Sequence, residues 1–499
     1  MPPQPKPISL PVLPGDSEGP ARAYEKKEKC AVFGVWGRAD AARQTYLGLY
    51  AQQHRGQESC GICVSDGEVL TGITGMGLVP EVFDAETIDR LEAMAPRAAV
   101  GHNRYSTAGG SVACNAQPIM LNYTGGQVAI AHNGNLINND LLRQRFEQAG
   151  HIFQTTSDTE AIVHLLANPA QQQAHDPLAA TLRRLQGAFS LVLLHPDRIE
   201  AARDPWGWRP LVLGRLPDGA AVVASETVAL DVIGAELVRE VEPGEIVTLN
   251  NAGVGSRRFA EIAPRPAYCV FEHVYFANPA SVVFGQNVQA TRERLGEALA
   301  GEAPPPAGCD CVVPMPDSGR SCALGYSRAS AVAYREAIVP NRYVGRTFIK
   351  PTQQGRVAAV RLKLNIISEL VRGKRLVIVD DSIVRGTTTR AKMDQLRSAG
   401  AREIHLRISC PPIRHPCYFG VDFADPSQLI ATGRSVEEIR AFLGVDSLAY
   451  LSLEGLLGAM QRPGEHYCTA CYSGDYRLDP AHPVVEESVI EGEQLKMFR

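Results

Sequence analysis

The alternation of apolar and polar positions divides this chain into two stretches of regular structure joined near residue 263. In the first, CAVFGVWG from Cys30 is a strand-like run, and LQGAFSLVLL (Leu185 to Leu194) predicts a core strand. VEPGEIVTL, from Val241, predicts a turn leading into a strand that closes this stretch. APRP at Ala263 to Pro266 then interrupts regular structure and marks a boundary. In the second stretch, Val288 to Ala300 is helical in pattern, GEAPPPAG is a loop, and Cys311 to Pro314 is a short strand. That strand ends in a polar turn, Met315 to Ser321, followed by a helix from Ser321 through Ala331. Leu376 to Val379 is a second apolar, mostly β-branched run, suited to a strand buried on both faces. It stops at Asp380 and Asp381, passes Ser382, Arg385, Gly386 and Thr387 to Thr389, and gives way to a helical pattern over Arg390 to Ala399 with Gly400 as its cap.

The strand, acidic pair, hydroxyl-rich turn and helix of residues 375–399 have a chemical meaning. A Gly and Thr turn before a helix offers backbone N–H groups and hydroxyls to a phosphate, aided by the helix dipole. Adjacent carboxylates at the carboxyl end of a strand suit sugar hydroxyls or a Mg²⁺ ion. The turn matches neither the dinucleotide fingerprint nor the P-loop. Taken alone, it also reads as an ordinary buried strand with a polar loop.

A length of 499 residues predicts two or three domains. A net charge of −4 gives no sign of a nucleic-acid or anionic-membrane surface, and no apolar run reaches the roughly 18 residues of a membrane span. Residues 1–29 are rich in Pro and charge, with no apolar signal core, and read as a tail. Twelve cysteines without a secretory signal point to a reducing cytoplasm and to metal or catalytic thiols.

Three sets of residues carry a resemblance. RLVIVDDSIVRGTTT (Arg375 to Thr389) resembles the phosphoribosylpyrophosphate (PRPP) motif of type I phosphoribosyltransferases. CAVFGVWG, QQHRGQESCGI (from Gln52), GHNRYSTAGG (from Gly101), AHNGNL (from Ala131) and TTSDTE (from Thr155) resemble a class II glutamine amidotransferase of the N-terminal-nucleophile type, as does RDPWGWRPLVLG from Arg203. Together with four cysteines, Cys269, Cys417, Cys468 and Cys471, they make the chain similar to the cluster-bearing, propeptide-containing members of the glutamine PRPP amidotransferase family.

The resemblance implies a two-domain α/β and α+β fold. An N-terminal-nucleophile αββα sandwich (30–262) follows a propeptide (1–29). A type I phosphoribosyltransferase domain with a central parallel sheet (263–472) comes next, and then an acidic tail (473–499) that reads as uninformative. Cys30, on its own reading a small core residue at a strand edge, becomes the nucleophile, freed by cleavage after Lys29. A thiol with a pKa near roughly 8.5 needs a base, and a free α-amine with a pKa near about 8 can serve. Asn133 and the Gly134 N–H would stabilise the oxyanion, although Asn-Gly also predicts a tight hairpin turn. Arg104 and Thr107 would take the glutamine carboxylate, and Asp158 its ammonium.

On the PRPP side the resemblance implies Asp380, Asp381, Ser382, Arg385, Gly386, Thr387 and Thr388 as ligands. Asp380, Asp381 and Ser318 would lie at Mg²⁺. Arg346 and Lys350 would act from a mobile basic lid, a pattern that Lys363 and Asn365 continue. Cysteine spacing alone leaves zinc, an iron–sulfur cluster and a redox pair open. The resemblance implies a structural [4Fe–4S] cluster on Cys269, Cys417, Cys468 and Cys471. Cys60 and Cys63 read as core packing, and buried packing is the expectation for Cys114, Cys309, Cys311, Cys322 and Cys410. The implied partners are glutamine, PRPP and inhibitory purine nucleotides, with ammonia passed between the sites, in a homotetramer with no nucleic acid and no membrane. The alternatives are another class II amidotransferase and a non-enzymatic nucleotide-sensing regulator with a phosphoribosyltransferase fold.

Overall fold

A computed structural model of the protein describes residues 28–106, 112–340, 364–421 and 426–485. Two antiparallel sheets lie face to face. The first has seven strands, in the order Glu236–Glu240, Val212–Arg215, Ala221–Ala224, Glu28–Trp36, Ala98–Ser106, Ser59–Ser65 and Leu70–Met76. The second has six: Gly253–Arg258, Glu245–Asn250, Ile199–Arg203, Gly187–Leu194, Gly126–Leu136 and Ile119–Tyr123. Side chains alternate along a strand. Val32, Val100, Ala129, Ala131, Val192 and Val223 therefore meet between the sheets. Phe33, Val35, Ile62 and Val222 point the other way, onto a helical layer that includes Ala41–Ala51 and Ala85–Glu92. Asn139–Gln148, Asp158–Ala167 and Pro177–Leu182 cover the far side of the second sheet. The result is a four-layered αββα sandwich.

The structure sharpens several expectations here. The strand expected from Cys30 begins at Glu28, so Cys30 sits inside it. Asn133 and Gly134 lie within the strand Gly126–Leu136, which rules out the hairpin turn. A central strand needs neighbours on both sides, and this one has them. Glu245–Asn250 is not the closing strand, because Gly253–Arg258 pairs beyond it. Cys60 joins the outer core and Cys63 the inter-sheet core, so this C-x-x-C cannot share one ion. Burial pushes both thiols up to about 12.

The second unit is built on a parallel sheet in the order Cys311–Pro314, Arg375–Asp380, Glu403–Ile408, Ser447–Tyr450. Arg375–Asp380 is central, which explains its unbroken apolar run. Helices Val288–Glu302 and Arg320–Ser330 cross at two glycines. A Cβ on Gly296 would lie 1.9 Å from the Cys322 carbonyl oxygen, and one on Gly325 would lie 1.9 Å from that of Glu293. The helix expected from Arg390 starts instead at Thr387, so Thr387 to Thr389 form its first turn. Gly386, at φ 75°, turns the chain into it.

The tail read as uninformative is packed as far as residue 485. The Tyr476 hydroxyl donates to the Pro416 carbonyl at 2.6 Å, and Val485 joins the core of the second sheet's helical layer. Cys309, Cys311, Cys322 and Cys410 are buried or half-buried, as expected, whereas Cys114 is exposed in a short turn. Among the described residues no helix is long and apolar enough to cross a membrane.

Two buried acids give the sandwich an acid limit. Burial raises the pKa of Glu200, but His195, Arg198 and Arg257 outweigh it and hold the group at about 2. Burial likewise opposes ionisation of Glu160, but His164 and the Gln154 and Thr155 N–H groups hold it at about 2. Both pKa values are depressed from an ordinary 4.5, so this stability is complete above that value and is lost as pH falls towards 2. Thermal melts should show a Tm that drops steeply as pH falls below about 4.5. A Tm level down to about pH 3 would contradict the assignment.

Candidate functional site

At one end of the sandwich the inner faces of the two sheets carry polar groups. Cys30 shares its face with Val32, Arg104 with Val100, and Asn133 with Ala131, so all three point between the sheets. Cys30 is paired directly opposite Arg104 across the first sheet. All three are buried, Cys30 completely and the other two at 2% exposure. Among the described residues the Arg104 Nε and Nη1 atoms and the Asn133 amide nitrogen have no hydrogen-bond partner. Buried orphan donors are costly, by roughly 1–3 kcal/mol each, and converging ones mark a place shaped for an anionic or carbonyl group.

Gly134 has no room for a side chain, because a Cβ there would lie 2.0 Å from the Ala188 carbonyl oxygen. Asp158 opens the helix Asp158–Ala167. Its Oδ2 accepts the Leu136 N–H at 2.9 Å, and its Oδ1 lies 3.4 Å from His132 Nδ1. Asp158 thus braces the strand that carries Asn133. Thr107 lies outside the described residues.

Two residues missed in the sequence complete this end. Burial drives the pKa of His102 down to about 3, so the ring is neutral, and its Nε2 donates to the His132 carbonyl at 2.9 Å across the sandwich. Arg55 donates its Nε to the Cys30 carbonyl at 3.0 Å and is itself 4% exposed. Both lie within motif segments (GHNRYS and QQHRGQE). Only the three-dimensional contacts distinguish them from scaffold.

The acidic pair sits at the carboxyl end of the central parallel strand. Asp381 accepts the Ser318 and Ser382 hydroxyls, each at 2.5 Å, and its own N–H donates to Asp380 at 3.0 Å. Burial, and then the Asp381 charge, pushes the Asp380 carboxyl well above its usual range. Arg385, Thr387 and Thr388 are exposed at the helix start, while Thr389 turns inward and is buried. No side chain caps that helix, so its first N–H groups face outward unclaimed by a cap. Asn365 is exposed on the strand Leu364–Ile366, whereas Arg346, Lys350 and Lys363 lie outside the described residues.

The four cysteines converge from three segments. Cys269 pairs with Cys468 in a short parallel bridge, and the Arg414 and His415 N–H groups donate to the Cys471 carbonyl at 3.0 and 3.1 Å. The Phe419 N–H donates to Cys417 Sγ at 3.4 Å. Burial pushes Cys269 up to about 12 and Cys468 to about 11, and Cys471 rises through burial and then through its neighbours Cys417, Cys468 and Cys269. None of the four is in a disulfide. Among the described residues no three His, Cys, Asp or Glu side chains close around a point that could hold a metal ion.

Comparison with known proteins agrees with both ends of the molecule. A family profile for a glutamine amidotransferase domain matches residues 102–232. An amidophosphoribosyltransferase of Methanothermobacter thermautotrophicus is 48% identical over 91% of this chain and 95% of its own. That of Bacillus subtilis is 44% identical over 93% and 98%, and a chloroplastic one of Glycine max is 46% identical over 91% and 79%. A solved structure of glutamine PRPP amidotransferase from B. subtilis, in complex with ADP and GMP, superposes with a TM-score of 0.82 at 43% identity, covering 90% of this chain and 97% of that one. Nothing in these comparisons favours a non-enzymatic sensor. With its αββα sandwich, its parallel-sheet unit and its near full-length likeness to these enzymes, the chain belongs to the amidophosphoribosyltransferase family.

Proposed function

We propose that Cys30 is the nucleophile for glutamine in the amidophosphoribosyltransferase reaction, the first step of purine biosynthesis, and that ammonia then reacts at the Asp380–Asp381 site. The observation that carries this is the set of unpartnered buried donors, Arg104 Nε and Nη1 and Asn133 Nδ2, on the inner faces that also carry Cys30. In this reading residues 1–29 are removed and residues 30–262 form the glutaminase. Residues 263–472 form the phosphoribosyltransferase, and residues 473–499 are the tail.

The freed α-amine of Cys30 takes the thiol proton and the thiolate attacks the glutamine carboxamide. Asn133 and the Gly134 N–H receive the developing oxyanion. Arg104 and Thr107 hold the substrate carboxylate, and Asp158 holds the ammonium. The proton returns to the leaving ammonia, and water releases glutamate from the thioester. Most ammonia in water at neutral pH is protonated and unreactive, so passage to the second site is internal.

At the second site ammonia displaces pyrophosphate from C1 of PRPP, giving 5-phosphoribosylamine. Asp380 and Asp381 hold the ribose hydroxyls. The Arg385 to Thr388 turn, with Ser382 beside it, takes the 5-phosphate on the open helix end. Arg346 and Lys350 cover the pyrophosphate. Asp380, Asp381 and Ser318 would hold Mg²⁺, which offsets the mutual repulsion of two buried carboxylates and supplies charge neutralisation to the leaving group. Cys269, Cys417, Cys468 and Cys471 are a soft all-thiolate set that suits a [4Fe–4S] cluster, whose contribution is to tie three chain segments together. Purine nucleotides act as inhibitors and the enzyme works as a cytoplasmic homotetramer.

The test is the intact mass, N-terminal residue, and iron and sulfide content of enzyme purified without oxygen. The expected chain begins at Cys30 and carries about four irons per chain. Folded protein that hydrolyses glutamine with residues 1–29 still attached would overturn the nucleophile assignment. Iron-free, fully active protein would overturn the cluster.

A further inference from the structure

The backbone of Cys30 is held, through one arginine, by a carboxylate from the far side of the Ala263–Pro266 break. Arg55 Nε donates to the Cys30 carbonyl at 3.0 Å. Its Nη1 and Nη2 donate to the two carboxylate oxygens of Glu272, at 2.9 and 2.7 Å, and Nη1 also reaches Glu226 Oε1 at 2.5 Å. Glu272 lies three residues beyond Cys269, in the segment that enters the parallel-sheet unit. Its Oε1 also accepts from Arg209 Nη1 at 3.1 Å, and Arg209 Nη2 donates to the Phe419 carbonyl at 2.7 Å.

The second carboxylate is shared in the same way. Glu226 belongs to the sandwich, yet its Oε2 accepts the Ser281 hydroxyl at 2.7 Å and the Asn278 N–H at 2.8 Å. Both glutamates are fully buried, with Arg55 at 4% and Arg209 at 2% exposure. Two guanidinium groups therefore face two buried carboxylates, and the partly exposed His54 ring also reaches Glu226 Oε1 at 2.9 Å. A second contact runs parallel to this one. Asn135, two residues after Asn133, donates its amide to the Tyr418 carbonyl at 2.7 Å.

We propose that Glu272 is a positioning residue for glutamine hydrolysis, so that the glutaminase centre is complete only when the phosphoribosyltransferase unit is docked. The inference rests on the reading of Cys30 as nucleophile. A guanidinium presents its donors in a rigid fork. Glu272 takes one edge of that fork through both oxygens, which fixes the Nε that holds Cys30. Without Glu272, Arg55 keeps one carboxylate partner, Glu226, instead of two, so its fork can turn about the Cys30 contact and the nucleophile's backbone shifts with it. A misplacement of about 1 Å at a reacting group costs on the order of 100-fold in rate. Substrate recognition by Arg104 does not pass through this path.

The experiment compares mature, cluster-loaded Glu272→Gln and Glu272→Asp enzymes, containing both units and beginning at Cys30, with the parent. Glutamate release and ammonia-dependent phosphoribosylamine synthesis are measured on each preparation. E272Q should lower the glutaminase kcat about 10- to 100-fold, with KM for glutamine and the ammonia-dependent rate within about twofold. E272D, which keeps the charge, should fall between. Parallel loss of both activities, a rise in KM at constant kcat, or parental rates in both variants would each overturn the proposal. If E272Q does not fold, E272D decides by the same kcat and KM criteria. Cys30→Ala separates the underlying reading: glutamine hydrolysis that survives in C30A removes the nucleophile assignment, whatever Glu272 does.

Discussion

Cys30→Ala enzyme is expected to lose glutamine-dependent phosphoribosylamine synthesis by at least about a thousandfold, while ammonia-dependent synthesis stays within about twofold of the parent. The size follows from the chemistry. On the proposed roles, removing the thiol removes the atom that would form the acyl bond, whereas Arg104 and Asn133 would still bind. Glutamine should therefore still bind C30A, with a dissociation constant close to the parental KM, and ligand titration reads this directly. Preservation of the ammonia reaction is the structural control. Cys30 is wholly buried between the two sheets, next to an apolar core, and its replacement by a smaller residue leaves the pairing with Arg104 intact. Loss of both reactions would mean that the thiol is structural.

Asp381→Asn should have the complementary effect, lowering kcat/KM for PRPP about 100-fold or more in both the glutamine- and ammonia-dependent assays. Asp381 accepts two hydroxyls at 2.5 Å, from Ser318 and Ser382, which a carboxylate does with both oxygens at once. An amide offers one acceptor and turns two donors on the other hydroxyl. It also leaves one buried carboxylate in place of two, so the site loses attraction for a cation, while burial, the larger cause of the raised Asp380 pKa, remains. Glutamine hydrolysis measured without PRPP should be unchanged, because the proposed glutamine centre is built on the sandwich strands that carry Cys30, Arg104 and Asn133. An unchanged response to PRPP would remove Asp381 from the site.

Much of this was legible in the sequence because the signals are local. The run Leu376–Val379 announced a buried strand with an acidic end, and the strand Arg375–Asp380 is central in its parallel sheet. The motif segments placed Cys30, Arg104 and Asn133 individually. Boundaries were less legible. Thr387 to Thr389 look like turn residues, yet Gly386 completes the reversal and lets the helix begin three residues sooner. Asn133-Gly134 has the composition of a hairpin turn, but continuous pairing with the strand Gly187–Leu194 overrides it.

The amino-acid sequence by itself determined most element types and the family, since these depend on periodicity and on short contiguous motifs. Tertiary structure alone decided which of those residues face one another. Arg55 and Glu272 are 217 positions apart, and each reads as an ordinary charge within its own segment. Cys60 and Cys63 read as core packing, and only the fold shows that they pack into two different cores on opposite faces of one strand. Cys269 and Cys468 are linked in the sequence only by resemblance, and the fold pairs them side by side. The physical reason is range. Backbone geometry and hydrophobic period act over a few residues, whereas the pairing of buried charges and thiols is set by how the sheets and the parallel-sheet unit dock. Desolvation there leaves a charge stable only beside its partner.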